Sequence, residues 1–245
     1  MREQDTPPEP AQGRVREPIF LLPGSVTLVI GVLVAVHLAA TLVLNADGKL
    51  LLVRWGAFLP LRIVAAIESD AWLALPLIWT PFTHALLHGG WDHLLVNVAW
   101  FAIFATPVAR RYGAGPMLAM FFLSAAAGAA LFAVTSLYSG AYLIGASGGV
   151  AGLTGAATRF IFQPVIVQKH PETGEPVVMG RTLASFAELW RNSRSRYFVL
   201  IWVVLNAAVP LFPLLTGSEI SIAWQAHLGG FFAGLLLVGI FERRG

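Results

Sequence analysis

The sequence predicts an all-α membrane protein with six transmembrane helices, and three observations support this. The 245 residues are 57% hydrophobic and only 12% charged, far less charged than a soluble globular domain. Thirteen of the 16 Lys and Arg residues fall on one side of a six-span topology, which predicts that the N-terminus and the C-terminus are both cytoplasmic. Six apolar windows approach or reach the length of a span: 26–44, 93–109, 116–138, 147–162, 197–215 and 222–241.

These windows divide the chain into a helical domain with a tail at each end. Residues 1–24 are polar and Pro-rich, which predicts a disordered cytoplasmic tail. Residues 25–241 form the predicted six-helix domain, and residues 242–245 form a short cytoplasmic tail. The windows lack the alternation of barrel strands, so they must be helices in order to satisfy their backbone hydrogen bonds in lipid.

Two long loops interrupt the domain. The first outer loop, 45–92, is too apolar for a solvated linker and predicts helices that lie at the membrane interface. The cytoplasmic loop, 163–196, predicts a small hairpin over 165–178. A basic amphipathic helix is expected after it, either on the membrane surface or solvated, with one apolar face made of Leu183, Phe186, Ala187 and Trp190.

Polar side chains are few in the windows, and most lie where three windows begin. His93 and Asn97 open the second window, Ser147 opens the fourth, and His227 lies near the start of the sixth. In the predicted topology these three windows run in the same direction, so their starts share the outer half of the bilayer. Because intramembrane polar residues are costly and therefore usually functional, this convergence predicts a site at that depth.

Ser147 is the candidate nucleophile of this site. In Gly145-Ala146-Ser147-Gly148, the glycines allow a tight turn that exposes the hydroxyl at a helix start, although small residues at this spacing also serve helix packing. His227 is the candidate base, and Gly230 and Gly234 would let its helix approach the Ser147 helix closely. No Asp or Glu lies in any window, so the prediction is a Ser–His dyad.

Other chemistries receive less support. The absence of Cys excludes a thiol nucleophile. Zinc bound by His84, His88 and His93 is a weaker alternative because no carboxylate accompanies them and HExxH is missing, so no metal or other cofactor is expected. A channel or proton relay would place ionisable residues at several depths. The net charge of +3 is typical of basic cytoplasmic loops and does not indicate a nucleic acid partner.

Three motifs together resemble the rhomboid family of intramembrane serine proteases. The stretch 83–97, with His84, His88, His93 and Asn97, resembles the signature of the family's second helix. Gly145-Ala146-Ser147-Gly148 resembles its GxSG motif, and Ala226-His227 followed by Gly230 and Gly234 resembles its AHxxGxxxG motif.

The resemblance implies a rhomboid-like six-helix bundle that cleaves transmembrane segments of single-span substrate proteins in the lipid bilayer. Ser147 would be the nucleophile and His227 the general base. His93, Asn97 and the Ser147 N–H would form the oxyanion hole, and the fifth helix with the following loop, near Pro210 and Pro213, would gate substrate entry. The supporting residues would be Gly145, Gly148, His88, Gly230 and Gly234.

The resemblance also implies a location and leaves one alternative. A multi-pass protein of the bacterial inner (plasma) membrane is expected, with its active site open to the extracytoplasmic side. The chain departs from the family pattern at Trp79-Thr80, Ala109 and Ala151, where many members carry Trp-Arg, Glu and an aromatic residue. The alternative is a catalytically silent rhomboid-like protein that binds transmembrane clients.

Overall fold

The computed structural model describes residues 22–211 and 222–242, and most of its regular structure is helical. The first apolar window forms helix α1, Gly24–Leu38, which continues as a π-helical turn over Ala39–Val43. The predicted disordered tail lies almost wholly outside the described residues, as do the last three residues of the chain and Pro213.

The predicted outer loop is a chain of short helices, as the sequence indicates. They are α2 (Ala46–Gly56), α3 (Leu61–Glu68), a 3-10 helix (Ala71–Ile78), α4 (Thr80–Thr83) and a second 3-10 helix (His84–Leu86). Asn45 caps α2 by accepting a hydrogen bond from the Gly48 N–H at 2.9 Å.

The loop is fixed by hydrogen bonds between these short helices. The Trp79 Nε1–H donates to the Trp55 carbonyl at 2.8 Å, and the two indole rings stack with centroids 6.2 Å apart. The Thr83 hydroxyl donates to the Gly56 carbonyl at 2.8 Å. Trp79 therefore anchors the loop although the usual Arg after it is replaced by Thr80.

The remaining windows also hold helices. These are α5 (Trp91–Tyr112), α6 (Ala114–Ser136), α7 (Ser147–Ile161), then, after a short α8 (Phe186–Arg191), α9 (Ser193–Ala208) and α10 (Trp224–Phe241). Within the described residues, five helices are long and apolar enough to cross a membrane: α1 with its π turn, α5, α6, α9 with the 3-10 turn Val209–Leu211, and α10. Helix α7, with 15 residues, is the shorter exception.

Helix α7 lies at the centre of the bundle, and residues 148–160 are all buried. A Cβ added to Gly230 of α10 would overlap the Gly148 carbonyl oxygen of α7, and one added to Gly234 would overlap the Gly152 carbonyl. The backbones of α7 and α10 are thus in direct contact, which confirms the close approach predicted from their glycines.

The loop between α7 and α9 begins with the predicted hairpin. Strand β1 (Val165–Lys169) pairs antiparallel with β2 (Pro176–Arg181), and the turn contains Gly174 at φ +70°. A positive φ favours glycine, which explains the turn position.

The helix predicted after the hairpin is shorter than expected. Helix α8 begins at Phe186 because Ser185 and Glu188 form a reciprocal capping box, so Leu183 lies outside it and its place on the predicted apolar face is wrong. Leu189 is the buried residue of α8, and Phe186 and Trp190 are about half exposed.

The C-terminal ends of α5, α7 and α10 are joined by charged residues. The buried Arg159 of α7 donates to the Ala184 carbonyl at 2.6 and 2.9 Å and to the Leu235 carbonyl of α10 at 3.1 Å. Arg111 forms an ion pair with Glu242 at 2.5 Å. These contacts close the end of the bundle opposite to the start of α7.

Candidate active site

Ser147 is the first residue of α7, directly after a turn that requires a glycine. Gly145 has φ +117°, which L side chains rarely adopt, and Ala146 follows in the helical region as the N-cap. The Val150 N–H bonds to the Ala146 carbonyl at 2.9 Å, whereas the N–H groups of the first turn have no acceptor within the helix. The turn thus presents the Ser147 hydroxyl beside backbone donors and the positive end of the helix dipole.

The turn before Ser147 is held by two histidines of the first loop. The Gly145 N–H donates to the His84 carbonyl at 2.9 Å, and the Ala146 N–H donates to Nε2 of His88 at 3.4 Å. The His84 ring is buried and bonds through Nδ1 to the Thr80 carbonyl at 3.0 Å. These histidines therefore position the turn.

Burial controls the charge of both histidines. It lowers the pKa of His84 to about 4 and that of His88 to about 4, and for His88 the nearby His93 and His37 act in the same direction. Both rings are neutral near pH 7, so Nε2 of His88 is free to accept from the Ala146 N–H. Among the described residues, no group of three or more His, Asp or Glu is arranged to hold a metal ion.

His93 and Asn97 lie one helical turn apart near the start of α5, and the His93 ring borders the turn before Ser147. A Cβ built on Gly145 would lie 2.7 Å from His93 Nε2 and 3.8 Å from Ser147 Oγ, so both side chains border this glycine. The buried Asn97 donates through Nδ2 to the His93 carbonyl at 2.8 Å, and its amide nitrogen has a second N–H. The His93 ring thus borders the turn before Ser147, and Asn97 is hydrogen-bonded to the backbone of His93.

His227 lies in the first turn of α10, which the glycine contacts hold against α7. Its Nδ1 is 2.9 Å from Oδ1 of Asn206, near the end of α9. Asn206 is a polar residue inside the fifth apolar window, 197–215, and its contact with His227 was not predicted. The signal that could have indicated a partner for Asn206 is the cost of an unpaired amide in a membrane helix, which favours a hydrogen bond to a neighbouring helix.

Ala151 and Ala109, where the chain departs from the family pattern, are both buried among apolar side chains. Ala151 belongs to the apolar cluster that contains Phe231 and Trp202. Position 151 therefore supplies no aromatic side chain. Instead, Nδ1 of His227 is hydrogen-bonded to Asn206 of α9.

Together the fold and this site define a polytopic helical membrane protein in which a helix-initial serine and a histidine come from neighbouring helices. The family profile of the rhomboid domain matches residues 76–244. The chain belongs to the rhomboid family. It is similar to the rhomboid protease GlpG of Pectobacterium atrosepticum, with 28% identity over 195 residues that cover 77% of this chain. The matched region is 60% of that relative's length.

Proposed function

We propose that the protein is an intramembrane serine endopeptidase that cleaves transmembrane segments of membrane-protein substrates through a Ser147–His227 dyad. The observation that carries the proposal is the contact between α7 and α10, which brings the Ser147 turn and His227 to the same end of the bundle. The similarity to a rhomboid protease agrees with it.

In the proposed mechanism, Nε2 of His227 accepts the proton of Ser147 Oγ as the oxygen attacks a peptide carbonyl. The developing oxyanion is bound by the Ser147 N–H and by side-chain donors from His93 and Asn97. His227 then returns the proton to the leaving amine, and an acyl-enzyme remains on Ser147. Water activated by His227 hydrolyses this ester and regenerates the dyad.

Surrounding residues keep the reacting groups in place. Gly145 makes the turn possible, His88 holds the Ala146 N–H, and Gly230 and Gly234 permit the contact between α7 and α10. Gly148 belongs to the same contact, although a Cβ there would meet its nearest atom at an ordinary 3.4 Å. Gly148 thus tolerates a methyl group better than its partners on α10 do.

The proposed setting is a six-span domain, 25–241, in the bacterial inner membrane, with both termini cytoplasmic and the Ser147 end open to the extracytoplasmic side. Helix α7, the fourth span in chain order, brings the number of spans to six. It is enclosed by other helices and does not need to match the full thickness of the bilayer. The 13 basic residues on one side support this orientation. Substrates enter beside α9, in which Ser195 is the one buried residue.

The orientation is tested with single cysteines, since the chain has none of its own. We expect Ser139→Cys, between α6 and α7, to react with an impermeant maleimide added outside intact cells. Thr173→Cys, in the hairpin turn, should react only after the membrane is opened. The reverse pattern would contradict the orientation.

The activity is tested by reconstituting the full chain with a single-span test protein. We expect Ser147→Ala and His227→Ala each to lower the cleavage rate by about 10⁴-fold or more. Ser139→Ala, which removes an exposed loop hydroxyl, is the matched control and should cleave at the parent rate. Cleavage at the parent rate by Ser147→Ala would end the proposal.

The second candidate function is a catalytically silent protein that binds transmembrane clients. It is favoured only by the departures from the family pattern at Ala109 and Ala151. In that case the parent chain and the Ser147→Ala variant would retain the same clients, and neither would cleave them.

A further inference from the structure

Asn206 makes two hydrogen bonds that together determine which of its ends faces His227. Its Nδ2 donates to the Trp202 carbonyl at 2.8 Å, and its Oδ1 lies 2.9 Å from Nδ1 of His227. A reversed amide would place Oδ1 against the Trp202 carbonyl oxygen, where two acceptors would repel each other. The oxygen therefore faces the histidine.

An acceptor opposite Nδ1 requires that the proton of the neutral imidazole resides on Nδ1. The lone pair is then on Nε2, the other side of the ring. The alternative tautomer, with the proton on Nε2, would place two lone pairs against each other at Asn206 and would leave His227 unable to accept a proton through Nε2.

The same stretch of α9 touches α10 at a second point. The Trp202 ring stacks on the Phe231 ring with centroids 4.1 Å apart and planes inclined by 14°. Trp202 is one turn before Asn206, and Phe231 is one turn after His227. The two contacts therefore lie one helical turn apart along the interface between the antiparallel helices α9 and α10. Within α9 only Ser195 is fully buried, and the other apolar contacts of this helix, made by Phe198, Val199, Trp202 and Val203, are partly buried.

We infer that Asn206 is a positioning residue that holds His227 in the Nδ1–H tautomer and so makes its competence as a base depend on α9 being packed against α10. This inference rests on the proposed function of His227 as the general base. When α9 moves away, the Asn206 oxygen leaves with it, and His227 loses the acceptor that fixes its tautomer and orientation.

The kinetic test compares three variants of the full chain in detergent or liposomes. Asn206→Ala removes the acceptor, and we expect kcat to fall about fivefold with KM within about twofold, since the loss of one hydrogen bond worth about 1 kcal/mol corresponds to about that factor. Asn206→Asp keeps an acceptor and should restore most of kcat. The acid limb of its pH–rate profile should move to higher pH, because a carboxylate stabilises the imidazolium. Val134→Ala, at an exposed position of α6 away from α9 and α10, is the control and should match the parent.

The outcome separates positioning from simple packing. Parental kcat in Asn206→Ala would overturn the inference. Equal losses in Asn206→Ala and Asn206→Asp with an unmoved pH profile would also overturn it, since a packing defect does not distinguish an acceptor from a methyl group.

The tautomer is tested independently of cleavage by ¹⁵N NMR of histidine-labelled protein, with the His227 signals assigned by their loss in His227→Ala. We expect the Nδ1–H pattern in the parent chain and a tautomer mixture in Asn206→Ala. An Nε2–H pattern in a parent chain that cleaves substrate would overturn the inference and leave the proposed function standing. An Nδ1–H pattern in a chain that cleaves nothing would support the assigned contact and refute the proposed function.

Discussion

The close contact between α7 and α10 predicts that Gly234→Ala destabilises the protein although alanine is the better helix former. A Cβ on Gly234 would overlap the Gly152 carbonyl oxygen and would lie 2.5 and 2.7 Å from the carbonyl carbon and Cα of Gly152. These are backbone atoms that cannot rotate away, so the helices themselves must separate.

The magnitude follows from two opposing effects. Replacing a helical glycine by alanine favours the helix by about 1 kcal/mol. Overpacking a filled interface costs about 1–3 kcal/mol and occasionally more, and a clash between two backbones lies at the upper end. We therefore expect a net loss of about 2 kcal/mol in the free energy of unfolding. A shift of about 1 Å between Ser147 and His227 would also lower cleavage by about 100-fold.

The assay is unfolding of the purified full chain in detergent, with cleavage of a single-span test protein measured in parallel. Gly31→Ala is the matched control, because Gly31 also lies in a membrane-type helix but a Cβ there would meet no atom within 4 Å. This control should be as stable as the parent or slightly more stable. If Gly234→Ala behaved like Gly31→Ala in both measurements, the account of the α7–α10 contact would be refuted.

Two further predictions concern ionisable groups outside the spans. Because the pKa of His84 and that of His88 fall from 6.5 to about 4 on folding, the unfolded chain binds more protons between those values, and stability should fall as pH is lowered from 6.5 towards 4. A flat unfolding midpoint over that range would contradict the burial of both rings. Glu242 is desolvated, yet its hydrogen bonds from Arg111 and Tyr112 outweigh this and lower its pKa, so its stabilising contribution is present near neutral pH and is lost on acidification. Glu242→Gln should cost about 0.5–1 kcal/mol at pH 7, since this ion pair is partly exposed, and this difference from the parent should shrink in acid.

The positions of the helices were predictable from the sequence because the signal for each is local. An apolar window, the turn at Gly174 and the glycine pair Gly230 and Gly234 can each be recognised from a short stretch of consecutive residues. The hairpin and the backbone contact of α7 with α10 were therefore expected, and the structure contains both.

Contacts between distant side chains were not predictable in the same way. Whether Asn206 meets His227 depends on how α9 is rotated about its axis and how far it is shifted along α10, and one sequence reports neither. The Arg111–Glu242 ion pair depends likewise on where α5 and α10 end relative to each other. The start of α8 was misplaced because a side-chain cap at Ser185 outweighed the apolar spacing that begins at Leu183.

The central claim is that Ser147 is a nucleophile activated by His227, and covalent labelling tests it most directly. The full chain is treated with a fluorophosphonate, digested and mapped by mass spectrometry. The account predicts one adduct, on Ser147, that is lost in His227→Ala and retained in Ser139→Ala. A parent chain that stays unlabelled at Ser147, or a label that persists unchanged in His227→Ala, would contradict it.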